Sequence, residues 1–163
     1  MVLNGARLTS ATLVEATLDG ANLGEADFDR ADLSYASLLG SHLTDANLQF
    51  ANVARADLSR SNLYQANLSG AVFRAAVLRW ANLTNANLQE VDMRSCNLTG
   101  ASFINTDLTG ADLRAANLQF SRIIESRGDN ANFSNCRVYG MSAWDVSSSG
   151  MIESDLIITP PDQ

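Results

Sequence analysis

The feature that most constrains this chain is a strict period of five. The stretch Ala56 to Gly70 reads ADLSRSNLYQANLSG and divides without remainder into ADLSR, SNLYQ and ANLSG. A helix repeats near 3.6 residues and a strand near 2, so on either element a leucine at every fifth residue drifts off any one face. The register begins at Leu3 and holds at every fifth position through Val138. Those 28 sites carry nineteen Leu, four Phe, two Val, one Met and one Ile, with Gly128 the one departure. Two residues earlier, the same pentads carry nineteen Ala, four Ser, two Cys and one each of Val, Thr and Met. The position between them is Asn or Asp in sixteen of the 28.

Strand alternation puts residues two apart on the same side, so the Ala and Leu positions face inward together and the Asn or Asp between them faces out. An odd repeat cannot run straight without reversing its face. The chain must therefore bend once per pentad, and the two positions after each Leu are rich in Ser, Thr, Gly, Asn and Asp, which favour tight turns. The result is a coil with corners whose successive turns stack at about 4.8 Å, each touching only its neighbours. The number five does not set the number of sides. Gly20, Gly40, Gly100 and Gly140 share one column at a spacing of twenty, as do Arg74, Arg94 and Arg114, and this favours four.

The A(D/N)LXX grammar, seen in ADFDR, ADLSY, ANLTN, ANLQE and ADLRA, resembles the pentapeptide-repeat family over residues 1 to about 140. The resemblance implies an all-β, right-handed quadrilateral parallel β-helix with four pentads per coil. Residues 1–140 would then form about seven coils, a stack roughly 34 Å long. Residues 141–163 are expected to form a degenerate closing coil or cap and the start of a linker at Pro160 and Pro161.

Two irregularities carry expectations of their own. In ESRGDNANF a glycine, Gly128, replaces a core leucine among charged residues, which predicts a loop or bulge on that side. After Gly140 the large residues Val146, Met151 and Leu156 sit five apart in a register slipped by three, with Trp144 placed to act as a lid. The repeat is already in register at Leu3, so the first coil presents apolar core and an unpaired edge. Either that end pairs in a homo-oligomer, or the chain is part of a longer protein. The tail from Cys136 resembles the segment that closes the repeat region in multidomain bacterial pentapeptide-repeat proteins, which implies a downstream domain.

Composition narrows the function classes. All eleven basic residues are arginine, against eighteen acids, for a net charge of -7. That balance argues against nucleic-acid binding, which depends on phosphate neutralisation. No apolar run reaches the length of a membrane span and the amino terminus lacks a signal-peptide layout, so the expected setting is the cytoplasm, away from membranes.

Candidate chemistry is sparse. Cys96 and Cys136 occupy inward small positions forty residues apart, about 9.6 Å by strand spacing, beyond disulfide reach, and read as oversized alanines. His42 lies in an outward column with Asn22, Asn62 and Asn82, without a cysteine or second histidine to complete a metal site. Asn67, Asn82, Asn97 and Asn132 match glycosylation acceptors, but the repeat grammar generates them by itself. No metal, cofactor or catalytic constellation is expected, and the chain reads as a non-enzyme.

Two surface features stand out. Arg74, Arg94 and Arg114 stack vertically and need compensation, either from an anion or an acidic partner surface, or from Asp92 and Asp112 in a salt-bridge ladder. Trp80 and Phe120 share a corner column with Gly100 between them, giving either a shallow ring-flanked groove for a partner or scattered single rings. The expected function is a protein-interaction or scaffold module, for an unidentified protein or the chain's own downstream domain. The alternative, implied by resemblance to the quinolone-resistance type of the family, is an acidic DNA mimic acting on DNA gyrase.

Overall fold

Parallel bridges at a constant offset of twenty residues run the length of the chain, from Val2↔Asn22 to Arg137↔Ile157. Twenty residues per coil is four pentads, so the computed structural model is a four-sided parallel β-helix, right-handed, with no helix among the described residues. It describes residues 1–147 and 149–158, so the proline linker expected at Pro160 and Pro161 lies outside the described residues.

Each pentad repeats one set of hydrogen bonds. The Leu63 N–H, for example, donates to the Asn82 carbonyl of the next coil at 2.8 Å, and the Asn62 N–H donates back to Ser41 at 2.9 Å. The Ala66 N–H closes the corner onto the Leu63 carbonyl at 3.1 Å. The corner falls on every fifth residue, and each one from Gly5 to Asp155 has a left-handed φ between 51 and 70°. Only eight of these are glycine and 23 carry side chains, although the left-handed region costs an ordinary residue about 1–2 kcal/mol. The ladder over-determines the conformation: corner N–H groups such as those of Tyr35 and Phe50 donate to the coil above at 3.0 and 3.1 Å.

The Asn and Asp residues do more than face outward. All sixteen accept a hydrogen bond through Oδ1 from the backbone N–H two residues on, as Asp32 does from Ser34 at 2.9 Å and Asn82 from Thr84 at 3.1 Å. This local side-chain bond shapes the turn that the repeat requires. In one column the Asx residues stop after Asn82 and give way to Ser102, Arg122 and Ser142. There the backbone stays extended for a third residue and forms the recognised strands β1 (Ser102–Ile104), β2 (Arg122–Ile124) and β3 (Ser142–Trp144), a parallel sheet in the order β1-β2-β3.

The Leu column is sealed from Leu18 to Leu118, with Phe28, Phe73 and Phe103 the largest fully buried side chains. The Ala column beside it is closed to solvent over the same coils, and its smallness lets the leucines meet on the axis. In the first coil Leu3, Leu8 and Leu13 remain half-buried.

Both irregularities resolve differently from the sequence expectation. Gly128 forms no loop or bulge: Arg127 bridges Ser147, and the Gly128 N–H donates to the Ser147 carbonyl at 2.8 Å. The space of the missing leucine is taken by Met151 and Val146, and a Cβ added at Gly128 would lie 2.5 Å from the Met151 Cε. The backbone register also does not slip after Gly140, since Arg122, Arg127, Asn132 and Arg137 each bridge the residue twenty further on. The columns exchange contents instead. Met141, Val146, Met151 and Leu156 stand where alanines stood and stay half-buried, while Ala143 and Glu153 occupy exposed positions of the leucine column. Trp144 is no lid, being 77% exposed as the last residue of β3.

Candidate functional site

With inward positions consumed by the core and the Asx positions by the turns, the surface that remains is the two turn residues of each pentad. The arginine column occupies the first of them. Arg74 Nε lies 2.5 Å from Asp92 Oδ2, Arg94 reaches Asp92 at 2.8 Å and Asp112 at 3.4 Å, and Arg114 reaches Asp112 at 2.6 Å. Two carboxylates thus interleave three guanidinium groups, and the like charges have their compensation within the chain. The Arg114 hydrogen bonds hold the Asp112 carboxyl below its ordinary value, and the same pairing raises Arg114. Arg74 and Arg114 keep 58% and 48% of their side-chain surface exposed, so this array is of modest energetic weight.

The Trp80 and Phe120 column is arranged differently from the expected groove. The Trp80 ring lies down over Gly100, where an added Cβ would meet its Cε3 at 2.2 Å, so the notch between the rings is filled by one of them. Phe120 covers Gly140 in the same way and meets Tyr139 edge-on, with ring centroids 5.8 Å apart at 89°. Phe50 covers Gly70 at another corner, with the Arg30 guanidinium 4.8 Å from its ring centroid. Trp80 and Phe120 nevertheless keep 55% and 43% of their surface exposed.

The sequence reading left two neighbours out of the candidate surface. Arg79 precedes Trp80, and Arg60 sits one coil below it in the same corner column. The Arg60 N–H donates to the Arg79 carbonyl at 2.8 Å, which fixes the two residues side by side. The signal that could have found them is the twenty-residue spacing between Arg60 and Trp80.

The remaining candidates sit where their columns put them. Cys96 and Cys136 are free and buried, their thiols donating to the Phe73 and Leu113 carbonyls at 2.8 and 3.0 Å. Burial pushes Cys96 up to about 12 and Cys136 to about 11, so neither supplies a thiolate near neutrality. His42 is exposed and bridges Asn22 and Asn62 through its backbone. Among the described residues no group of three or more His, Cys, Asp or Glu converges on a metal position, and no helix is long and apolar enough to cross a membrane. A pocket of about 300 Å³ opens at the C-terminal end between Phe133, Val138, Met141 and Met151.

A four-sided parallel β-helix built from five-residue repeats, with its surface chemistry confined to the corners, defines the class. The chain belongs to the pentapeptide-repeat family: pentapeptide repeats match in eight copies, over residues 2–24, 11–49, 41–79 and 76–114. Comparison with curated proteins finds no match. Among solved structures it is similar to HetL, a pentapeptide repeat protein involved in heterocyst differentiation regulation in the cyanobacterium Nostoc sp. strain PCC 7120, at 28% identity over 96% of this chain and 73% of that one (TM-score 0.44). A pentapeptide repeat protein of the Arabidopsis thaliana thylakoid lumen is 30% identical over 64% of this chain and 66% of that one (TM-score 0.41). QnrB1, a plasmid-mediated fluoroquinolone resistance protein, is 19% identical over 94% and 86% (TM-score 0.39).

Proposed function

We propose that this chain is a non-catalytic protein-interaction module, a rigid rod that presents side chains at its corners to a protein partner. The observation that carries the reading is the Trp80 corner: an exposed indole, held down on Gly100, with Arg79 preceding it and Arg60 one coil below, has the residue types that dominate binding energy at protein interfaces. A partner could equally be a downstream domain of a longer chain, and pairing of two copies through the half-buried leucines of the first coil belongs to the same reading. We place the module in the cytoplasm.

The test is affinity capture on the immobilised chain, with a variant carrying alanine at Trp80 and Phe120 as the control. A protein retained by the native chain and lost by the variant supports the module; retention that is the same on both sinks it. The acidic gyrase mimic draws on the net charge of -7, but arginines crowd two faces of the rod's middle, where a mimic of DNA needs carboxylates. A gyrase supercoiling assay separates the two readings, since the interaction module leaves supercoiling unchanged.

A further inference from the structure

The four-sided coil sorts the charges of its middle section in a way the linear sequence hides. Between residues 41 and 120, the two faces formed by the first ten positions of each twenty-residue coil carry Asp45, Glu90 and Asp107 and no arginine. The other two faces carry six arginines against Asp57, Asp92 and Asp112. A chain of net charge -7 therefore has one basic flank.

Most of that flank is spoken for. Arg74, Arg94 and Arg114 share Asp92 and Asp112. Arg55 lies 5.5 Å from the Tyr35 ring centroid and donates to the Tyr35 hydroxyl at 3.1 Å. The Asp57 carboxylate accepts from the Ser59 N–H at 2.8 Å. Arg60 and Arg79 are both exposed, and among the described residues neither side chain makes an ion pair, hydrogen bond or ring contact. They are held together by the backbone bond between them, with Trp80 one coil spacing from Arg60, about 4.8 Å, and Phe120 about 9.6 Å beyond Trp80.

Two exposed arginines on neighbouring coils, with no counter-charge among the described residues, leave their guanidinium groups open to pairing, and a carboxylate placed against either forms charge-assisted, bidentate hydrogen bonds. The outer face of the indole, lying one coil further along over Gly100, accepts an apolar side chain. We propose that Arg60, Arg79 and Trp80 form a docking site for an acidic polypeptide segment, its carboxylates on the two arginines and an apolar side chain against Trp80. A nucleic acid fits less well: affinity for polyphosphate grows with the number of phosphates neutralised, and two free arginines on an acidic rod neutralise few. The inference rests on the interaction-module reading and specifies the chemistry of its partner.

The probe is a short fluorescein-labelled peptide of Asp and Glu with interspersed Leu, followed by anisotropy at low and high salt. The same peptide with Asn and Gln in place of the acids, and an oligothymidylate, serve as comparison probes. The acidic peptide should bind, weaken with salt, and bind about tenfold more tightly than its neutral counterpart. Joint Arg60→Glu and Arg79→Glu substitution should weaken it by at least about tenfold, and Trp80→Ala by severalfold. Joint Arg74→Ala and Arg114→Ala substitution, which removes only ladder arginines, should change it less than about twofold. Circular-dichroism melts establish that each variant is folded. Absence of binding, equal affinity for the neutral peptide, unchanged affinity in the Arg60 and Arg79 variant, or preference for the oligothymidylate overturns the acidic-segment inference. A partner recovered by affinity capture in any of those cases leaves the module reading standing, so the two fail separately.

Discussion

The coils from residue 21 to 138 and the coil from residue 141 to 158 share one backbone and differ in how it is filled. In the first region the large residue sits in the leucine column and the small one beside it, and both are closed to solvent through most of the stack. In the second, Met141, Val146, Met151 and Leu156 take the small column and Ala143 and Glu153 take the large one, yet the bridges continue at the same offset of twenty. The ladder therefore does not need the A(D/N)LXX grammar once a coil below supplies a template. What the grammar supplies is the sealed interior, because two large columns cannot share one axis. Where the columns exchange, one residue of the coil below must give way, and Gly128 is that residue.

Breaking the interior on each side of that divide should give the largest contrast. Leu63→Ala, in a fully buried position, should cost about 3 kcal/mol in equilibrium denaturation, whereas Leu156→Ala in the half-buried last coil should cost about 1 kcal/mol. Equal losses would mean the two regions are packed alike.

The junction gives a sharper test. Gly128→Leu restores the repeat yet should destabilise by about 2 kcal/mol, because the added side chain collides with Met151 and the Ser147 carbonyl. Met151→Ala in the same chain should recover part of that loss, and the double-mutant cycle should show a favourable coupling. A stabilised single variant would show that the glycine leaves unused space.

A smaller effect of opposite sign is expected at Ser61. Its hydroxyl and that of Ser41 are buried in the alanine column and, among the described residues, have no hydrogen-bond partner. Ser61→Ala should raise stability by about 1 kcal/mol, while Ser121→Ala, whose hydroxyl donates to the Leu118 carbonyl at 2.7 Å, should not. A loss at Ser61 would point to a partner for its hydroxyl.

The smallest effect concerns the arginine ladder. Asp112 is held below its ordinary carboxyl value by the Arg114 hydrogen bonds, so its contribution is present above the unfolded-state value and fades as pH falls through the folded one. Asp112→Asn should therefore be less stable than the native chain near pH 7, with a smaller difference at about pH 2. Denaturation curves at the two pH values decide it.

Much of this architecture was legible in the sequence. Leu, Ala and Asx columns at a period of five specify an inward pair, an outward spacer and a corner, and the glycine and arginine columns point to the twenty-residue coil. The job of the Asx residues was legible in principle, since Asn and Asp two residues before a turn cap its N–H. Gly128 and the tail misled because they were read as breaks in a pattern of residue types, while the backbone ladder depends on hydrogen bonds that every residue but proline can make. The filled notch under Trp80 was hidden because a ring's direction depends on the coil above it.

By itself the sequence determined the repeat, the inward columns and the turn chemistry, because those are local and recur every five residues. The tertiary structure decided which charges find partners and which do not. Asp92 meets Arg74 from eighteen residues away at 2.5 Å, and Arg60 meets Arg79 through the coil stack. The physical reason is that coiling converts a separation of twenty residues into one strand spacing, so the surface is written across coils while the core is written along them.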